Sequence, residues 1–322
     1  SNKRNYLFVD EIQNIKEYEV SLRSFHTNDE REMVITGSNA KMLSSELSTY
    51  LSGRCVEYHI QSLDYREFLT FHRLSDNNQS LHSYLKYGGL PQLHRIGLEE
   101  TELVDDYLKS VYHTIVLKDV IEREEIRNVP LLKNLIRFVG DNVGKVFSAS
   151  SIVKYLKSQQ VDSSTRVILN YLEYLCNAYI INRVNRYDIH GKRLFELNDK
   201  FYFEDIGIRN SLVASGRSSS MEKVIENVIY LHLVRLGYEV TVGQLQKAEI
   251  DFVAQKKAET IYIQATYLLA TEETVNREFG NLLQIRDAHP KIVVSMDEFF
   301  DGTNYQGIRH YHLRQFLLMT SL

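Results

Sequence analysis

The sequence predicts a multi-domain α/β protein, and three features carry that expectation. The first 60 residues alternate strand, helix, strand, helix, strand, the mark of a parallel sheet. A helical block then runs from 64 to about 140. After Gly216-Arg217-Ser218-Ser219-Ser220 a second alternation of helix and strand reaches the end of the chain. With 322 residues, 43% hydrophobic and 25% charged, there is apolar material for two or three cores.

Residues 6–10 are a continuous apolar run too short for a helix and read as a buried strand. A helix is expected over 17–27, a second strand at Met33-Val34-Ile35, a helix over 40–51, and a third strand at Val56-Glu57-Tyr58-His59-Ile60. In the helical block, Leu103, Tyr107, Leu108, Val111, Tyr112, Ile115 and Val116 mark one long amphipathic helix. Gly88-Gly89-Leu90-Pro91 breaks the pattern, and 131–139 forms another helix. From 148 to 200 the outline is a winged helix. Ser148 caps one helix and Asp162 or Ser163 a second. Tyr179-Ile180-Ile181 and Leu194-Phe195-Glu196-Leu197 then form a ribbon around the turn at Asp188–Gly191. Residues 221–236 are helical. Strands follow at 238–242, 249–254 and 260–265, then a helix over 272–285, a strand at 291–295 and a last element at 313–319.

Composition narrows the function classes. No stretch approaches 18 apolar residues, so no transmembrane helix is expected, and no secretory signal precedes the first apolar run. Two cysteines exclude a disulfide scaffold and a cysteine-based zinc site, which makes a reducing, cytoplasmic setting the default. The net charge of -4 excludes a uniformly basic nucleic-acid binder. Residues 127–200 nevertheless carry 12 Lys and Arg against 6 Asp and Glu, a net +6 inside an acidic protein. Arg166, Arg183, Arg186, Lys192 and Arg193 are the candidate phosphate contacts of that segment, and DNA is its candidate partner. The alternative is a packing module, since the second helix presents Tyr171, Glu173 and Tyr174 and one arginine.

Four apolar residues ending in Asp10-Glu11 form a Walker B pattern, in which one carboxylate holds Mg²⁺ and the next polarises the attacking water. Thr36-Gly37-Ser38-Asn39 ends the neighbouring strand, and Leu51-Ser52-Gly53-Arg54 precedes the next. With Tyr65-Arg66-Glu67-Phe68-Leu69 and Gly88-Gly89-Leu90-Pro91 in the same order, the chain resembles the prokaryotic AAA-like ATPase family with an uncharacterised conserved C-terminal domain. The resemblance implies a partial P-loop NTPase sheet over 1–62, a helical lid over 63–140, a winged helix over 141–216 and a restriction-endonuclease-like domain over 217–322. It makes Asp10 the magnesium-side acid, Glu11 the catalytic base, Asn39 the sensor and Arg54 the arginine finger, with ATP and Mg²⁺ as cofactors of the full-length protein. No Gly-x-x-x-x-Gly-Lys-Ser/Thr sequence occurs in these residues, so the chain reads as entering a domain partway through. Neither tight ATP binding nor turnover is expected of it as it stands. A sheet without its phosphate-loop strand is expected to self-associate by strand exchange, rearrange, or leave 1–60 loosely packed with an apolar face uncovered.

Glu226 on a helix, Asp251 on a hairpin, and Gln264 and Thr266 on the next strand resemble the PD-(D/E)xK nuclease core. There the two acids bind a divalent metal and a lysine activates water. Here a neutral Gln264 takes the second acid's place and Thr266 the lysine's, so the resemblance implies the fold with its catalysis lost. The eleven histidines show no His-x-x-x-His pair, and His310 and His312 read as structural. Three functions follow: an ATP-driven module, a nucleic-acid-binding protein whose terminal fold no longer cuts, and a metal-dependent nuclease.

Overall fold

Asn5–Val9 (β1) pairs in parallel with Arg31–Ile35 (β2), Phe8 opposite Val34, so the two apolar runs are strands as expected, but none of Asn5–Val9 or Glu32–Ile35 is buried, which corrects the expected burial. The computed structural model describes residues 5–18, 20, 22, 31–40, 55–194, 198–213, 221–246, 248–298 and 302–322. The helix expected over 40–51, most of the one over 17–27, the Leu51–Arg54 motif, Phe195–Leu197 and the 216–220 stretch lie outside them. One face of the β1–β2 pair packs Val9, Met33 and Ile35 against Ile12, Tyr18 and Leu22. Strand alternation turns Tyr6, Phe8 and Val34 to the other face, where among the described residues Phe8 is 73% exposed.

The third strand expected at 56–60 is a correction. Among the described residues Cys55–Ile60 pairs with no strand, and Val56, Tyr58 and Ile60 are exposed, Ile60 to 86%. Its alternating pattern meets no sheet edge here. The segment is anchored through His59, with Nε2 3.2 Å from Glu204 Oε1 and its ring against Tyr179.

The helical block follows its caps. Asp64 and Glu67 form a capping box at the start of α1 (Tyr65–His72), and Asn77 caps α2 (Asn78–Tyr87). The short α3 (Leu93–Ile96) precedes α4 (Thr101–Ile115), which runs into a π-helical stretch at Val116–Glu122. Asn128 caps α5 (Val129–Asp141), with Pro130 in its first turn. Ser148 caps α6 (Ala149–Ser158) as read from the sequence. The cap of α7 (Thr165–Asn177) is Ser164, beyond the expected Asp162 or Ser163, because Ser164 Oγ is the atom that accepts from Val167 N.

The ribbon after α7 differs from the expected one. Ile181–Val184 (β3) pairs with Lys200–Phe203 (β6). The intervening hairpin, Arg186–Asp188 (β4) and Arg193–Leu194 (β5), adds to the edge of a larger sheet, with β4 parallel to Glu239–Gln244 (β7). Buried apolar alternation on β7 gives the hairpin an edge to join, a long-range choice that local pattern does not encode.

Ile206–Leu212 (α8) and Met221–Arg235 (α9) lead into that sheet. Its remaining strands are Glu249–Lys256 (β8), Glu259–Ala265 (β9), Lys291–Ser295 (β10), Asn304–Tyr305 (β11) and Ile308–His312 (β12), with Glu272–Leu283 (α10) between β9 and β10 and Leu313–Leu318 (α11) last. The order is β11-β12-β10-β9-β8-β7-β4-β5. Phe252 and Ile263 share a core with Val224, Ile225 and Val228 of α9, while Tyr262 and Val293 pack with Phe279 and Leu282 of α10. Helices on both faces explain the near-continuous apolar runs of β8 to β10. A single apolar cluster runs from Tyr65 to Leu317 and takes in residues of all three units expected after residue 62. No helix among the described residues is long and apolar enough to cross a membrane.

Candidate functional site

Among the described residues, two places gather chemistry-bearing side chains. The first is the C-terminal edge of β1 and β2. Their parallel pairing brings Asp10-Glu11 and Thr36 to one edge. Thr36 N donates to Val9 O at 2.9 Å and Ile12 N to Thr36 O at 3.0 Å. Thr36 Oγ1 donates to Asp10 Oδ1 and accepts from Glu11 N at 3.1 Å. Glu11 sits in the left-handed region at φ 50°, ψ 54°, a conformation that costs a residue with a Cβ roughly 1–3 kcal/mol. Gln13 donates to Glu11 Oε2 and to Ser38 Oγ, the latter at 3.0 Å. Ser38 Oγ in turn donates to Asp119 Oδ1 at 3.2 Å, in the π-helical stretch, and Asp119 accepts from Arg123 at 3.0 Å. Asn39 is buried beside this edge. Arg54 lies outside the described residues. Asp119 and Arg123 were not legible as partners of this edge, since 80 residues separate them from it. The only local cue was the Asp-to-Arg spacing of four.

The second place is a buried acidic cluster between β6, α9 and β8. Glu226 and Asp251, expected as a nuclease-like pair, do meet here, and Glu249 joins them. The cation among them is one the sequence reading missed. Lys200 Nζ lies 2.8 Å from Glu226 Oε1, 2.8 Å from Glu249 Oε1 and 3.4 Å from Asp251 Oδ1, and the lysine is 1% exposed. Lys200 and Tyr202 alternate to the same side of β6, and Tyr202 donates to Glu226 Oε1 at 2.6 Å. Asn227 holds β6 at this height. Its side chain accepts from Phe203 N and donates to Phe203 O, both at 2.8 Å, in place of a neighbouring strand.

The other two expected members are engaged differently. Gln264 Oε1 accepts from Asp251 N at 3.1 Å, while Asp251 Oδ2 accepts from Ala265 N at 2.9 Å, so both side chains lock β8 to β9. Thr266 is buried and its amide bonds Val294 O.

Burial pulls the Lys200 ammonium down, but Glu226, Asp251 and Glu249 outweigh it and hold it above its ordinary value. Burial pushes Asp251 up, against Lys200, and pushes Glu226 up to about 7, again against Lys200. With three carboxylates around one ammonium, a carboxyl gives way and not the lysine. Because its folded value exceeds its unfolded one, Glu226 adds stability that is complete below about pH 4.5 and lost as pH rises through about 7. Denaturant titrations from pH 5 to 8 are therefore expected to show stability falling with pH, and Glu226→Gln is expected to flatten that slope. An unchanged slope in the variant would contradict this assignment.

The basic residues do not converge. Arg183 pairs with Asp199 at 3.4 Å and lies over Phe201, and Arg186 bonds Gln244. Arg166, Lys192 and Arg193 are exposed, Arg193 being 3.7 Å from Asp188. His310 and His312 are buried: His310 Nε2 bonds Ser295 Oγ at 2.8 Å and His312 Nδ1 accepts from Arg314 N. Among the described residues, no group of three or more His, Cys, Asp or Glu is arranged to hold a metal ion.

An uncharacterized protein of Haemophilus influenzae is 34% identical to this chain over 324 residues, 99% of the chain and 78% of the relative. The chain belongs to that protein's family. An uncharacterized protein of Methanocaldococcus jannaschii is 28% identical, covering 96% of the chain and 72% of the relative. Residues 1–69 of the chain match an AAA domain and residues 78–219 a domain of unknown function (DUF8612). The AAA match covers Asp10, Glu11, Asn39 and Arg54. A Vibrio cholerae protein of known crystal structure aligns at 13% identity and a TM-score of 0.23, covering 59% of this chain and 55% of that one, too weak a likeness to carry fold or function.

Proposed function

We propose that residues 1–69 supply the hydrolytic edge of an AAA-type nucleotide site. The observation that carries this reading is the bonded set Asp10–Thr36–Glu11–Gln13–Ser38 at the strand ends, within the stretch that matches an AAA domain. Asp10, exposed and bonded on one oxygen by Thr36, fits the single protein carboxylate of a magnesium–phosphate site. Mg²⁺ with ATP would neutralise charge developing on the phosphates. Glu11 orients and deprotonates the attacking water, and Gln13 fixes its carboxylate. Asn39 is the polar sensor and Arg54 the arginine acting on a neighbouring site. Asp119 and Arg123 tie the edge to the lid.

These 322 residues hold no Gly-x-x-x-x-Gly-Lys-Ser/Thr sequence and alone are expected to release no phosphate from ATP. The test is phosphate release in a form that also carries such a loop. There Glu11→Gln is expected to cut turnover by about 10²–10⁴-fold while MgATP binding persists. Turnover at the parent rate in that variant would refute the role of Glu11.

A further inference from the structure

We propose that Lys200 is the built-in cation of the terminal acidic pocket, standing where Glu226, Glu249 and Asp251 would otherwise hold a divalent metal, so that the pocket excludes Mg²⁺ and Mn²⁺. The inference is independent of the nucleotide reading, since it uses no residue of the first 69.

Oxygens from three carboxylates on α9 and β8 point at one atom, Lys200 Nζ, at 2.8, 2.8 and 3.4 Å. Those are N–H···O spacings, longer than the roughly 2.0–2.5 Å that an oxygen-liganded Mg²⁺ or Ca²⁺ requires. A metal and the ammonium cannot share that point. The ammonium cannot step aside either. Lys200 lies on a strand hydrogen-bonded to β3 and clasped at Phe203 by Asn227, and its side chain is 1% exposed. Tyr202 takes a further Glu226 lone pair, leaving that carboxylate less capacity for a ligand. Charge balance completes the case. Two carboxylates whose side chains are each 14% exposed and a third at 37% need a positive partner, and Lys200 is the cation bonded to all three.

The experiment uses the 322-residue chain with Mn²⁺ as the probe, followed by electron paramagnetic resonance of free Mn²⁺ and by thermal melting. Wild type is expected to take up no Mn²⁺ that Asp251→Asn abolishes, and its melting temperature is expected not to move. Lys200→Ala removes the tethered cation and leaves room. With Mn²⁺ at about 100-fold over its dissociation constant, that variant is expected to gain about 5 °C, lost again in Lys200→Ala/Asp251→Asn. If Lys200→Ala folds only with Mn²⁺ present, recovery of its circular dichroism by Mn²⁺ is the same result. Two outcomes overturn the proposal: Asp251-dependent Mn²⁺ uptake by wild type, or a Lys200→Ala chain that Mn²⁺ neither binds nor stabilises. The wild-type arm decides whether or not the variant folds.

Discussion

Lys200→Met is expected to lower the unfolding free energy by about 3–5 kcal/mol, the usual cost of removing one partner from a buried ion cluster. Methionine matches the lysine stem out to Cε and lacks only the ammonium, so little cavity forms and the loss is mainly electrostatic. It strips the ammonium from Glu226 and Asp251, both nearly enclosed, and from Glu249 at the rim. Glu226 and Asp251, already pushed up by burial, relieve part of the strain by taking up protons, so the loss is expected to be greater at pH 8 than at pH 5. Urea unfolding at the two pH values measures it. A cost under about 1 kcal/mol at both would mean the contacts are surface-like in energy.

Asp205→Ala is expected to cost a similar amount, about 3–5 kcal/mol, because hydrogen bonds to a charged acceptor are worth roughly 1.5–3 kcal/mol each and their donors would be left buried. Asp205 accepts from Gly89 N at 2.8 Å and from Ile208 N at 3.0 Å, capping α8 and joining it to the end of α2. The joint tolerates no side chain at its closest approaches. A Cβ on Gly207 would stand 1.9 Å from Tyr87 O, and one on Gly89 would stand 2.1 Å from Leu63 O. Asn210 adds two bonds, to Leu85 O and Lys86 O. The Gly88-Gly89-Leu90-Pro91 motif thus has a physical reason here: it lets α8 dock on the helical block. Melting of Asp205→Ala against Asp205→Asn checks the claim, since the amide restores one acceptor and should recover part of the loss. Equal melting of the alanine variant and wild type would contradict it.

Both predictions concern contacts that the sequence displays poorly. Strands β7 to β10 and helix α9 were legible because burial on both faces writes continuous apolar runs, and Ser148 marks a helix start. That Asp10 and Glu11 follow a strand end was legible because an apolar run and two acids are adjacent in the chain. Lys200 was not. It opens the run Lys200-Phe201-Tyr202-Phe203, and nothing local says that this strand will lie against Glu226 and Asp251, 26 and 51 residues on. Val56–Ile60 misled for the converse reason: alternation states that a strand would be half-buried if a sheet edge received it, and none does among the described residues. The turn at Asp188–Gly191 was read, but its flanking strands were placed at 179–181 and 194–197; the hairpin is Arg186–Asp188 with Arg193–Leu194, and its attachment to β7 is a choice made by the distant sheet.

The central claim is that Lys200 compensates the buried acids by direct pairing, and a double-mutant cycle between Lys200→Met and Glu226→Gln tests it most directly. Unfolding free energies of wild type, both single variants and the double variant give the coupling. Pairing predicts that the double variant loses at least about 1–2 kcal/mol less than the sum of the singles, within the range found for residues in one charged network. Losses that add to within about 0.5 kcal/mol would show that the two groups do not interact and would contradict the account.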